Sequence, residues 1–191
     1  MEQAVGTYRA QTVTGRLVGI GALAGLAGGV GMAMWQMIYS AVQGEGFWSP
    51  VNVCMASFIY RSQGQMMIDE AMAHPGMMSM NGPVQASHIL VGGMAHMMFS
   101  AVVGTAFVIV LALLARTALA GLLRSYHGYI AAAMAGGAIT YAVMMSLVIP
   151  WANPVMQEFT PRGPFFIGHL AFGMIFGLVA FPLLRRRSEA A

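Results

Sequence analysis

Two histidines of this chain lie within long apolar stretches, and similar residues follow them. After both His96 and His169, phenylalanine stands three positions later, a small residue at the fourth position and glycine at the eighth. An ionisable side chain inside a membrane-spanning helix is costly to bury and commonly marks a functional site. Two facing imidazoles could ligate a b-type haem, hold one metal ion together with Met94, Met97 or Met98, or relay protons. The more ordinary role, which we expect first, is that each ring donates its N–H to a nearby carbonyl and fixes helix packing.

A second candidate site lies in a connection between apolar stretches where methionines are concentrated. Seven of the 19 methionines fall between Met55 and Met80. Thioether sulfur and imidazole nitrogen suit copper(I), because soft ligands match a soft cation. The alternative is that these methionines are flexible apolar filling for contacts between the loop and the helices. The candidate copper ligands are His74 and its neighbours Met72, Met77, Met78 and Met80.

The residue types needed for catalysis do not come together in this sequence. No Asp or Glu lies inside an apolar stretch, and no nucleophile, histidine and acid can be placed on one helix face. No phosphate-binding or dinucleotide-binding glycine loop follows a strand. The single cysteine, Cys54, excludes an intrachain disulfide and a cysteine-based zinc site. We therefore predict that the protein is not an enzyme.

The elements that position these residues are membrane-spanning helices. The 191-residue chain is 58% hydrophobic and only 8% charged, whereas soluble domains carry about 25% charged residues. This composition excludes a water-soluble globule, a disordered chain and a nucleic-acid-binding protein. Because a span needs roughly 20 apolar residues, the sequence predicts an all-α integral membrane four-helix bundle. The predicted spans cover residues 17–42, 86–115, 128–149 and 164–184.

The arginines predict the orientation of these spans. All nine basic residues are arginine. Seven of them lie before the first span, between the second and third, or after the fourth; only Arg61 and Arg162 lie on the other side. Positive charge is retained on the cytoplasmic side. Both termini are therefore predicted to be cytoplasmic, in the inner membrane of a prokaryote, with the 43–85 and 150–163 connections outside.

The spans also show an internal repeat. The matching residues after the two histidines place the second and fourth spans in equivalent positions, and the first and third spans share a glycine pair at Gly28 and at Gly136. We interpret the chain as two helical hairpins in tandem. The 43–85 loop is longer than its counterpart and carries the methionine-rich segment. Within it, Ser49 followed by Pro50 is typical of a helix start and predicts a short helix on the outer surface.

The chain resembles a group of small four-span bacterial membrane proteins that includes the YagU-like inner-membrane family. The resemblance is carried by residues 46–50 (Gly-Phe-Trp-Ser-Pro), by His96 with Phe99 and Ser100, and by residues 168–170 (Gly-His-Leu). It covers the four spans but not the methionine-rich insertion. It implies the fold, and it implies no particular cofactor or reaction.

These observations lead to a functional expectation. Glycine-rich helix faces, few polar sites and an adaptable methionine-rich loop are typical of a non-catalytic accessory or assembly subunit, which would pack in the lipid bilayer against other integral membrane proteins. The alternative is an outward-facing protein that handles copper or another metal, or binds haem b, through its methionine and histidine ligands. Copper and haem b are the candidate cofactors of this alternative, and the first expectation needs none.

Overall fold

The fold was obtained as a computed structural model, which describes residues 15–51, 54, 86–152, 156–157 and 160–185. This part of the chain is almost entirely helical and contains no strand. We number its helices in chain order. They are α1 (Gly15–Val42), α2 (Ala86–Leu114), α3 (Ala120–Arg124), α4 (Tyr126–Ala152) and α5 (Arg162–Arg185).

Four of these helices are long and apolar enough to cross a membrane. The shortest, α5, has 24 residues, which at about 1.5 Å per residue exceeds the roughly 30 Å of a hydrocarbon core. The spans were predicted by the same length criterion, and the predicted all-α, multi-pass four-helix bundle is confirmed. A helix can cross lipid because it satisfies its own backbone hydrogen bonds.

The four long helices form a bundle that is open on one side. α1 packs along both α2 and α5, and α4 packs along α5, whereas α2 and α4 meet at only a few residues. One such meeting point is the ring of Phe107 on α2, which lies against Gly136 on α4. The two hairpins, α1 with α2 and α4 with α5, are therefore joined mainly through α1 and α5.

Close helix contacts occur at equivalent positions in the two hairpins. A Cβ atom at Gly25 would overlap the backbone of Ser100 and Gly104, and a Cβ atom at Gly173 would overlap the backbone of Ala133. Ser100 and Gly173 each follow their histidine by four positions. Small residues at these sites allow the backbones to approach closely, which is the main source of association between helices in lipid.

The end of the bundle that carries the short helix α3 is closely packed. Phe176 and Ala180 of α5 are fully buried there, and Val108 of α2 is nearly so. The ring of Phe107 stands edge-on to the rings of Phe172 and Phe176, at 5.8 and 5.5 Å between centroids. This aromatic cluster closes the bundle at mid-depth. The core at this end comprises Leu17, Ala24, Val108, Leu111, Ala115, Leu123, Tyr129, Ala133, Phe176, Ala180 and Phe181.

Part of the predicted outer loop lies outside the described residues. The chain turns after α1 through Gly44 and Gly46, whose φ angles of 78° and 90° suit glycine. A helical turn then begins at Ser49, where the sequence predicted a helix start. Most of the predicted short helix, and all five candidate copper ligands (His74, Met72, Met77, Met78 and Met80), fall on residues that the structure does not describe.

Candidate binding cavity

A cavity of about 500 Å³ lies in the half of the bundle opposite α3. It is lined by α1 from Met32 to Ser40, by α2 from Ile89 to Val103, by α4 from Thr140 to Ala152, and by α5 from Phe165 to Phe172. Its position follows from the helix packing, because α2 and α4 separate beyond their contact at mid-depth. The cavity is mostly apolar, with a few polar groups on its wall.

The lining on α4 includes a π-helical turn from Met144 to Val148. A π turn adds one residue to the helical repeat and changes which residues face a given side of the helix. The residues after it, including Ile149, Trp151 and Ala152, line the cavity. Such turns are frequent at functional sites, and this one is the single stretch of the described spans that is not α-helical.

His96 lines the cavity and joins the two helices of the first hairpin. Its Nε2 atom lies 2.9 Å from the carbonyl oxygen of Gly29 on α1. A carbonyl oxygen only accepts, so this nitrogen carries the hydrogen and donates it. The hydroxyl of Ser100, one turn further along α2, donates to the backbone oxygen of His96 at 2.8 Å. The predicted packing role, in which the ring donates to a carbonyl, matches this geometry.

His169 also lines the cavity, but its ring is held within its own helix. Nδ1 donates to the carbonyl oxygen of Phe165, 2.9 Å away and one turn earlier on α5. The ring stands edge-on to Phe165, with 4.5 Å between centroids, and to Tyr141 on α4, with 5.7 Å between centroids. The residue is only 4% exposed. Its orientation is thus fixed by one hydrogen bond and two aromatic neighbours.

Polar side chains of α1 reinforce the cavity wall and its rim. The indole nitrogen of Trp35 and the amide nitrogen of Gln36 both donate to the carbonyl oxygen of Pro164, at 2.9 and 3.0 Å. They tie α1 to the first turn of α5. Near the mouth, the hydroxyl of Ser40 donates to a carboxylate oxygen of Glu45 at 3.3 Å. Glu45 is exposed and is the one acidic residue on the described lining.

The two histidines predicted as a site line one cavity, each with one ring nitrogen committed to a backbone carbonyl. One nitrogen per ring is left for another partner, Nδ1 of His96 and Nε2 of His169. Among the described residues, no three His, Cys, Asp or Glu side chains form a group that could hold a metal ion. Shared ligation of haem or of a metal ion by His96 and His169 stays a prediction, and so does copper binding by the methionine-rich segment.

The sequence did not predict several residues of the cavity. Gln36 of the lining and its neighbour Trp35, which lies outside the lining, belong to no recognisable motif, and only the fold brings them to Pro164, more than 120 positions away. The π turn on α4 was not predicted either, although Pro150 is a signal for it, because proline inside a helix cannot make the regular bond to the carbonyl of Ser146. By contrast, the repeated spacing around the two histidines identified both imidazoles. The chain matches no family model, no curated protein and no solved structure.

Proposed function

We propose that this protein is a non-catalytic integral membrane protein that binds one apolar or amphipathic small molecule in the cavity between its helices. The observation that carries the proposal is the cavity of about 500 Å³, bounded by all four spans. Pockets for small ligands measure about 300–1,000 Å³ and are mostly apolar, with a few placed polar groups. This cavity fits that description in size, lining and number of polar groups.

The membrane setting favours an apolar ligand. The cavity lies at the depth of the spans, and α2 and α4 part on its open side, next to lipid-facing surface. A molecule dissolved in the bilayer could enter between these helices without crossing water. Arginine placement supports an orientation in which both termini are cytoplasmic, so the cavity would serve the outer half of a prokaryotic inner membrane.

The proposal is tested by filling the cavity. Gly93 of α2 lies on the cavity wall, and a Cβ atom there would meet nothing within 4 Å. Gly93→Phe should therefore occupy the cavity without displacing backbone. Gly19→Phe is the matched control, because Gly19 is exposed on α1 and a Cβ there also meets nothing within 4 Å.

The measurement is native mass spectrometry of each variant released from mild detergent. We expect wild-type protein and Gly19→Phe to retain one apolar molecule per chain, and Gly93→Phe to retain none. An empty wild-type protein, or equal retention by Gly93→Phe, would contradict the proposal.

A role as an accessory or assembly subunit is the second candidate. It is favoured by large apolar side chains exposed in stripes on the two helices that flank the open side. On α2 these are Leu90, Met94, Met98 and Val102, and on α4 they are Ile139, Val143, Leu147 and Trp151. A partner's transmembrane helix could pack across them. A site-specific photocrosslinker at Met98 should then capture one discrete partner in native membranes, and capture of lipid alone would remove this candidate.

Two chemical analyses distinguish the copper or haem alternative from the two candidate functions above. Elemental analysis of protein purified without chelator would detect a bound metal, and an optical spectrum of the same sample would detect haem b. His96 would have to ligate through Nδ1, or give up its hydrogen bond to Gly29, for a shared site with His169 to form.

A further inference from the structure

We infer that the cavity selects a lipid-soluble phenol, a class that includes hydroquinones, whose hydroxyl donates a hydrogen bond to Nε2 of His169. This inference rests on the proposed binding function and specifies the chemistry of the ligand. It follows from the hydrogen bonds that fix the two imidazoles and from the side chains around them.

The hydrogen bond of His169 decides what its second nitrogen can do. A neutral imidazole carries one hydrogen, and here that hydrogen lies on Nδ1, which donates to the carbonyl oxygen of Phe165. Nε2 then has a lone pair and accepts. It is the ring nitrogen farther from the backbone, so it reaches further from α5, along whose cavity wall His169 lies. None of the described residues is a hydrogen-bond partner of this atom.

The neighbouring imidazole adds a second acceptor. Because Nε2 of His96 donates to Gly29, its Nδ1 has the lone pair. Both histidines line the cavity, and each ring therefore has one acceptor nitrogen and no second N–H to donate. A ligand that carries only acceptors, such as an ether, ester or quinone, would leave these nitrogens unpaired, and unpaired buried polar atoms reduce affinity. A ligand with one or two hydroxyl groups would pair with them.

The body of the ligand is indicated by the aromatic and thioether side chains of the lining. Phe165 and Phe172 lie beside His169 on α5, and Met32, Met97 and Met144 contribute from the other three spans. Aromatic rings pack edge-to-face with one another, and thioether sulfur contacts ring edges favourably. This lining suits an aromatic ring better than a saturated chain. A phenol combines that ring with the hydroxyl donor.

The experiment compares two ligands of nearly equal shape. Purified full-length protein in nanodiscs is mixed with equimolar 4-octylphenol and 4-octylanisole, the methyl ether that lacks the donor. Both compounds compete in the same sample, and native mass spectrometry reads the ratio of the two bound species. We expect wild-type protein to prefer the phenol about tenfold. The phenol donates a hydrogen bond to the buried acceptor, whereas the ether leaves that acceptor without a partner.

Variants assign the preference to His169. His169→Phe keeps a ring for the contacts with Phe165 and Tyr141 but removes the acceptor, so it should bind both compounds about equally. His127→Phe is the control, because His127 is exposed at the start of α4 and does not line the cavity; it should keep the wild-type preference. If His169→Phe does not fold, His169→Asn takes its place. Its side-chain oxygen still accepts a hydrogen bond, so this variant should keep the wild-type ratio of bound phenol to bound ether.

The outcomes separate the inference from the proposed function. If wild-type protein binds the phenol and its ether equally, the inference is wrong while binding in the cavity stands. If it binds neither, the inference fails, and the proposed function is decided by the retention of an apolar molecule in wild-type protein against Gly93→Phe. A phenol preference that survives in His169→Phe would also overturn the assignment to Nε2.

Discussion

At the scale of single residues, the two intramembrane histidines are the polar groups on which the inferred ligand selectivity depends. Their matching spacing made them one candidate site in the sequence, and both line one cavity. The sequence could not predict that Nε2 of His96 donates across to α1 while Nδ1 of His169 donates within α5. That difference depends on the rotation and approach of neighbouring helices, which packing decides and which single-sequence periodicity does not encode.

The single cysteine provides a pH-dependent prediction at the same scale. Burial raises the pKa of the Cys54 thiol from 9.0 to about 11. Only the thiolate is alkylated. Below pH 9 the folded protein therefore has about one hundredth of the thiolate of an ordinary cysteine. We expect iodoacetamide to react about a hundredfold more slowly with folded protein than with protein unfolded in dodecyl sulfate at pH 8.

The dependence of the alkylation rate on pH shows the direction of the pKa change at Cys54. Because the raised pKa lies above the whole range, the rate should rise about tenfold per unit from pH 8 to pH 10 in the folded protein. A rate at pH 8 equal to that of the unfolded control would contradict the assigned burial. The chain has one cysteine, so the wild-type protein suffices for the measurement.

At the scale of helices, the close approach of α1 and α2 depends on glycine. A methyl group at Gly25 would overlap the backbone of Ser100, whereas one at Gly19 would meet nothing within 4 Å. We expect Gly25→Ala to destabilise the protein by about 1–3 kcal/mol, as overpacking does. Gly19→Ala should be neutral or stabilising, because alanine favours helix over glycine by about 1 kcal/mol. Thermal unfolding in detergent compares the pair, and equal melting temperatures would refute the packing assignment.

The helices themselves could be predicted from the sequence, because what makes each segment helical is a property of that segment alone. A long uncharged apolar run must be helical in lipid, and Ser49 with Pro50 indicated a helix start that the fold contains. The π turn from Met144 to Val148 was not accessible. Four of its five residues are apolar and suit a regular helix, but Pro150 lacks an N–H and its ring crowds the carbonyl of Ser146, which disfavours the regular helical bond there. The open side between α2 and α4 was not predicted either, because it depends on how the helices pack against one another.

At the scale of the whole molecule, the orientation in the membrane is a prediction from charge. Seven arginines against two place both termini in the cytoplasm. On a Cys54→Ser background, a membrane-impermeant maleimide added to intact cells should label Met78→Cys and should not label Arg187→Cys. The reverse result would invert the topology and turn the cavity toward the cytoplasmic half of the membrane.

The whole bundle combines a packed end with an open end, and this division is the basis of the proposed function. Phe107, Phe172 and Phe176 pack together between the two ends, and among the described residues the cavity lies on one side of this cluster. The packed end, which carries α3, can keep the helices in place while the opposite end, which contains the cavity, binds a ligand.

The resemblance to the YagU-like family stays a prediction, because it concerns ancestry and not the arrangement of the helices.

The most direct test of the account is photolabelling by a lipid-soluble diazirine in native membranes. Met97 lines the cavity, while its neighbour Met98 is 60% exposed on the outer face of α2. We predict that labelling of Met97 saturates with probe concentration, is competed by 4-octylphenol and is lost in Gly93→Phe, while labelling of Met98 rises linearly in every sample. Labelling of Met97 that never saturates, or that Gly93→Phe leaves unchanged, would contradict a binding cavity at this position.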